Sequence, residues 1–93
     1  VNSTIKRSIA RSRHAALKFI EEELANYDRT GEKCDYYATW GVLRAYFRGL
    51  LISQSERDVF RDRLHAMRIR RDPVFAGALK KLQDEERQLE AGT

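Results

Sequence analysis

One proline, one cysteine and five glycines are all that 93 residues contain of the types that most often interrupt or cross-link a chain. With so few breakers, and no segment that sustains the apolar–polar alternation of a strand, helices are expected throughout. The single cysteine, Cys34, cannot close an intrachain disulfide, which fits a reducing compartment. The longest apolar run, Gly49 to Ile52, is far short of the roughly 20 residues a membrane span needs. Residues 1–20 alternate basic and apolar side chains without a continuous hydrophobic block, so no secretory pattern is read there. A cytoplasmic protein with no membrane partner is the expectation.

Chemistry-bearing residues are equally sparse. His14 and His65 are the only histidines and fall on separate expected helices. Cys34 has acidic neighbours in Glu32 and Asp35, which disfavour a reactive thiolate. No pair of residues has zinc-type spacing, and no glycine-rich phosphate loop is present. The carboxylate runs Glu21–Glu23 and Asp84–Glu86 point in different directions around a helix, as a solvated face does. A non-enzymatic protein without catalytic residues, metal or cofactor is expected.

What the chain does have is charge, and it comes in blocks. Charged residues are 34% of the sequence, against roughly 25% in an average globular protein. Residues 1–20 carry +5, 21–35 carry −4, 36–71 carry +5 and 72–93 carry −2, which sum to the net +4. Arginine supplies 13 of the 18 basic residues. Its planar guanidinium makes bidentate contacts with phosphate or carboxylate that lysine does not copy. Hydrophobic residues, at 42%, suffice for one modest core, so the whole of 1–93 is read as one domain.

Four helices are expected, at about 4–27, 35–48, 53–71 and 73–90, forming an all-α bundle of three to four helices. Ser3 or Thr4 is a candidate N-cap for the first, which buries Ile5, Ile9, Ala16, Ile20, Leu24 and Tyr27. The polar, glycine-containing segment 28–33 reads as a loop, with Asp35 as cap of the second helix. That helix is rich in aromatics. Tyr36, Trp40, Leu43, Phe47 and Leu50 make one apolar face and Ala38, Val42 and Ala45 a smaller one, so it is placed at the centre of the fold, with the bundle built around Trp40. Gly49 is read as its C′ residue. Ser53-Gln54-Ser55-Glu56 is a capping box that starts the third helix, completing a helical hairpin joined at Gly49–Ser53. The third helix buries Val59, Phe60, Leu64 and Met67. Asp72-Pro73 opens the fourth, which presents Phe75, Leu79, Leu82 and Leu89 before a polar far end.

Two functional readings follow. The leading one is a small accessory protein of bacterial or phage type acting through protein contacts. Aromatics crowd the second helix, and Trp, Tyr and Arg are the types enriched at interface hot spots. Trp40, Leu43 and Phe47 are expected in the core and Tyr46 exposed. Tyr46, Leu82 and Leu89 are the candidate contact residues, with an unidentified protein partner or self-association through the C-terminal helix. The alternative is nucleic-acid binding. Arg7, Arg11, His14 and Lys18 recur at i, i+4, i+7 and i+11 in one stripe, and Arg57, Arg61 and Arg68 form a second with His65 near them. Cations at the N-terminal half of the first helix oppose its dipole, an arrangement that phosphate binding would account for. Lys18 pairing with Glu22, and Asp58 and Asp62 pairing with the third-helix arginines, would account for the stripes as ordinary solvated faces. A helix-turn-helix fits poorly, because the positions six and nine after Gly49 that should be apolar are Ser55 and Asp58.

Overall fold

The computed structural model describes residues 2–91, with side chains described for Arg7, for 11–89 and for Ala91. Four helices follow one another: α1 (Asn2–Thr30), α2 (Lys33–Arg48), α3 (Gln54–Arg71) and α4 (Pro73–Ala91). They form a helical bundle in which consecutive helices pack together, with no strand among the described residues.

The helix ends differ from expectation where polarity alone suggests a break. Ser3 and Thr4 lie inside α1 rather than capping it, since the helix is already formed at Asn2. At its other end α1 runs on through Asp28, Arg29 and Thr30, three residues expected in a loop. Polar side chains are compatible with an exposed helical turn, so what stops the helix is Gly31. Its φ is +66°, its N–H donates to the Tyr27 carbonyl at 2.8 Å, and a Cβ there would overlap the Arg71 guanidinium. The connection to α2 is therefore Gly31 and Glu32 alone. Asp35 falls in the first turn of α2 instead of at its cap, where its charge suits the positive end of the helix, and it accepts a hydrogen bond from the Thr30 hydroxyl.

At the end of α2 the left-handed residue is not Gly49, whose φ is −80°, but Leu50, whose φ is 61°. Leu50 N–H donates to the Phe47 carbonyl at 3.1 Å and Leu51 N–H to the Tyr46 carbonyl at 2.9 Å. These are the paired bonds of a Schellman motif one residue later than expected. Leu50 is consequently 85% exposed and leaves the apolar face assigned to it, while Ile52, at 2%, plugs the core from the loop. The expected capping box is present. The Ser53 hydroxyl accepts from the Glu56 N–H at 3.1 Å, and Glu56 Oε1 accepts from the Ser53 N–H at 2.8 Å. The bond from Ser53 N–H foremost, against the cost of burial and with the Ser53 side chain and Arg13 adding to it, holds the Glu56 carboxyl below its ordinary range.

The core joins Ile20, Leu24 and Tyr27 of α1, Tyr36 and Leu43 of α2, Ile52, and Phe60 and Leu64 of α3. Leu43, fully buried, is its centre; Trp40 is half-buried at the edge. α2 does lie between two neighbours, but not through Ala38 and Ala45, which are exposed. Its side toward α1 uses Thr39 and Tyr46. The buried Thr39 hydroxyl donates to the Asp35 carbonyl at 2.8 Å and is 3.4 Å from that of Glu23, and the Tyr46 ring lies 6.3 Å from Phe19. Tyr46 is thus half-buried, and the most exposed aromatic among the described residues is Tyr37, at 59%. Val59, also at 59%, is outside the core; Ile5 and Ile9 fall outside the described side chains.

α2 runs antiparallel to both neighbours, and α1 and α3 run parallel. Ion pairs mark the parallel seam: Arg13–Glu56 at 3.0 Å, Glu21–Arg63 at 2.6 Å and Asp28–Arg70 at 3.8 Å. Successive rungs are seven or eight residues apart on each helix, two turns of each, so they repeat on one face. The fork of Arg63 holds Glu21 below the usual carboxylate range. Each exposed pair is worth only about 0.2–1 kcal/mol. α4 is different in kind. None of its described residues is buried, and it widens the molecule, whose extents are 50 × 40 × 16 Å, beside the three-helix unit.

Candidate interaction groove between α2, α3 and α4

Because α4 rests on its neighbours only near its start, an open groove of about 680 Å³ lies between it and the α2–α3 face. Each wall follows from helical spacing. α2 contributes Tyr36, Tyr37 and Trp40, and α3 contributes Arg57, Arg61, His65 and Arg68, stepping by four, four and three along one face. The wall from α4 is apolar at Ala78, Leu79 and Leu82 and turns polar at Gln83 and Glu86.

Arg68 closes the inner end. Its guanidinium carbon lies 4.0 Å above the Phe75 ring centroid, 4.4 Å from that of Tyr36 and 5.7 Å from that of Tyr37. Such stacking is worth about 0.5–2 kcal/mol, rising as the cation is desolvated. His65 sits among Tyr36, Trp40 and Phe75, with ring centroids 5.9–6.4 Å away. Burial, then the nearby Arg61, push its pKa below the ordinary histidine value, with Asp62 opposing and Arg68 adding to the depression. His65 is accordingly neutral at pH 7. Burial likewise raises the Tyr36 hydroxyl, against the pull of Arg68.

At the outer end the arginines are braced by carboxylates. Arg57 reaches Asp58 at 2.9 Å and stacks 4.3 Å over Phe47; Arg61 reaches Asp58 at 3.3 Å and Asp62 at 3.2 Å. A smaller hollow of about 280 Å³ continues the groove, sharing Trp40 and Arg57 and adding Phe47, Arg44 and Arg48. No carboxylate among the described residues lies within ion-pair distance of Arg44 or Arg48.

Comparison with known families, characterised proteins and solved structures finds no match to this chain. The site stands on its own geometry.

The structure brings Arg57, Arg61, Arg68 and His65 together in that groove, with Leu82 on the facing wall. Leu89 lies farther along α4 and is 73% exposed. Tyr46 does not reach the groove, being turned toward α1. Arg7, Arg11, His14 and Lys18 are all exposed on α1, but none of them lines the groove, and Lys18 makes no ion pair with Glu22. Arg63 and Arg70 face α1 through their pairs with Glu21 and Asp28. Two contributors were hidden in the sequence. Trp40 reads as core because its spacing matches Leu43, and Glu86 reads as part of a solvated run; only the splay of α4 puts both on one cavity. Cys34 is exposed on the first turn of α2, outside the groove, and no group of three or more His, Cys, Asp or Glu among the described residues is placed to hold a metal ion.

Proposed function

We propose that this protein is a non-enzymatic accessory module acting through protein contacts, and that its contact surface is the groove between α2, α3 and α4. The observation that carries this reading is the pairing of an arginine–aromatic wall with an apolar wall across an open gap. Trp40, Tyr37 and the arginines are of the types that dominate interface energetics, and Leu79 and Leu82 offer apolar area beside them. A helical segment with acidic and apolar faces matches that chemistry. The groove matches a phosphate backbone less well, since its α4 wall is apolar at Ala78, Leu79 and Leu82, and Arg68 is committed to three rings. A second reading, nucleic-acid binding, has one observation in its favour: Arg7, Arg11 and Lys18 are exposed with no carboxylate among the described residues within ion-pair distance.

Trp40 is the only tryptophan, so its emission reports on the groove. Titration with a synthetic acidic amphipathic helix should shift that emission saturably at physiological salt, and Leu82→Asp should abolish the shift. Labelled duplex DNA should bind only at low salt. DNA binding that survives physiological salt, with a slope that Arg7→Gln and Arg11→Gln reduce by about one unit per lost contact, would replace this reading with the nucleic-acid one.

A further inference from the structure

One face of α4 continues past the groove without changing character. Phe75, Leu82 and Leu89 are seven residues apart and share that face. Phe75 is seated against Tyr36, His65 and Arg68, whereas Leu82 is 57% and Leu89 73% exposed. Glu85 and Glu86 flank that face and Asp84 lies on the opposite side of the helix, all three exposed. The distal half of α4 is therefore an acidic amphipathic helix projecting from its own bundle. The groove beside it is lined by Arg57, Arg61 and Trp40, with Arg44 and Arg48 at its outer end. One chain thus carries both halves of a complementary pair, and they lie side by side.

We infer that the occupant of the groove is the distal half of α4 from a second copy of this chain, exchanged reciprocally about a two-fold axis. This rests on the proposed role of the groove and names its partner. A surface holding a basic concave part next to an acidic apolar projection is self-complementary, and the closed arrangement that satisfies both copies at once is an isologous dimer. Leu82 and Leu89 supply the apolar contact. Glu85 and Glu86, which flank the Leu82–Leu89 face, meet arginines, which orients the insertion and makes it sensitive to charge. Within one copy, α4 is joined to α3 through Asp72 and Pro73 and cannot place Leu89 in the groove that its own Leu82 already borders.

Sedimentation velocity on the full chain, across a broad concentration range, tests this. A monomer–dimer equilibrium is expected. Arg57→Glu with Arg61→Glu should weaken it roughly tenfold or more, as should Glu85→Arg with Glu86→Arg, and mixing the two variants should restore association as a heterodimer. The acidic positions are exposed on an element with no buried residue among those described, so the second variant keeps the test decisive should the first fail to fold by circular dichroism. A chain that stays monomeric at every concentration overturns the inference, and so does a dimer indifferent to both charge reversals. A monomeric chain whose Trp40 emission still responds to the unrelated acidic helix removes the second copy as occupant and leaves the groove reading standing. A monomeric chain with no response removes both.

Discussion

Leu50 shows what a single backbone angle costs and why periodicity misplaced it. The apolar step from Leu43 through Phe47 to Leu50 holds only while the helix lasts, and α2 ends at Arg48. Past that point Leu50 takes φ 61° with its side chain 85% exposed. A left-handed conformation costs an L-residue roughly 1–2 kcal/mol, and so exposed a side chain recovers little by burial. Leu50→Gly should stabilise the protein by about 0.5–1 kcal/mol after the added chain entropy, seen as a higher urea midpoint with an unchanged slope. A lower midpoint would mean that Leu50 contributes more packing than the turn costs. His65 carries the second prediction at this scale. Its pKa is depressed in the fold, so the unfolded chain binds more protons, and stability rises with pH through that window. On acidification the loss should begin near the ordinary histidine value of about 6.5 and end below the folded value. Melting temperatures between pH 7.5 and pH 5 should fall for the native protein and stay flatter for His65→Gln; equal slopes would place the titration elsewhere.

Elements were legible where a side chain makes a specific bond to the backbone, and poorly legible where only polarity was available. Ser53 and Glu56 specify the start of α3 through two hydrogen bonds that any Ser-x-x-Glu can make, and the structure contains both. Ser53→Ala should therefore cost about 1 kcal/mol in equilibrium unfolding. A loss well below that would show water replacing the hydroxyl at this exposed end. Asp72-Pro73 was legible for the same kind of reason, a proline that cannot sit deeper in a helix. The segment 28–30 was not, because Asp, Arg and Thr are as content in an exposed helical turn as in a loop, and only the φ of Gly31 decides the end. The two apolar faces of α2 located it between neighbours but not which residues touch which. Thr39, polar in the sequence, is fully buried because its hydroxyl is satisfied by the backbone of its own helix and bonds across to α1.

For the whole molecule, the decisive quantity is the angle at which α4 leaves α3, and no local pattern contains it. The arginines of α3 could be placed on one face from spacing, but whether that face met α1, α4 or solvent depended on packing. In the structure it opens onto the groove, while the α1 stripe lies elsewhere, so the basic blocks do not merge into one surface along that cavity. The same geometry implies an unequal division of stability. The core draws on α1, α2, α3 and Ile52, and α4 adds only half-buried contacts, chiefly Phe75 against Tyr36, His65 and Arg68. Partial burial of one phenylalanine and one stacked cation amount to about 1–3 kcal/mol. A chain ending at Asp72 should thus keep a cooperative, helical thermal transition, lowered by that amount. Its Trp40 emission should move to the red, because Ala78, Leu79 and Leu82 no longer screen the indole. It should also be monomeric, having lost the segment that the second copy receives. Loss of cooperative unfolding in the shortened chain would instead make α4 part of the folding unit, and the groove would then be a seam within one core rather than a surface held open for another chain.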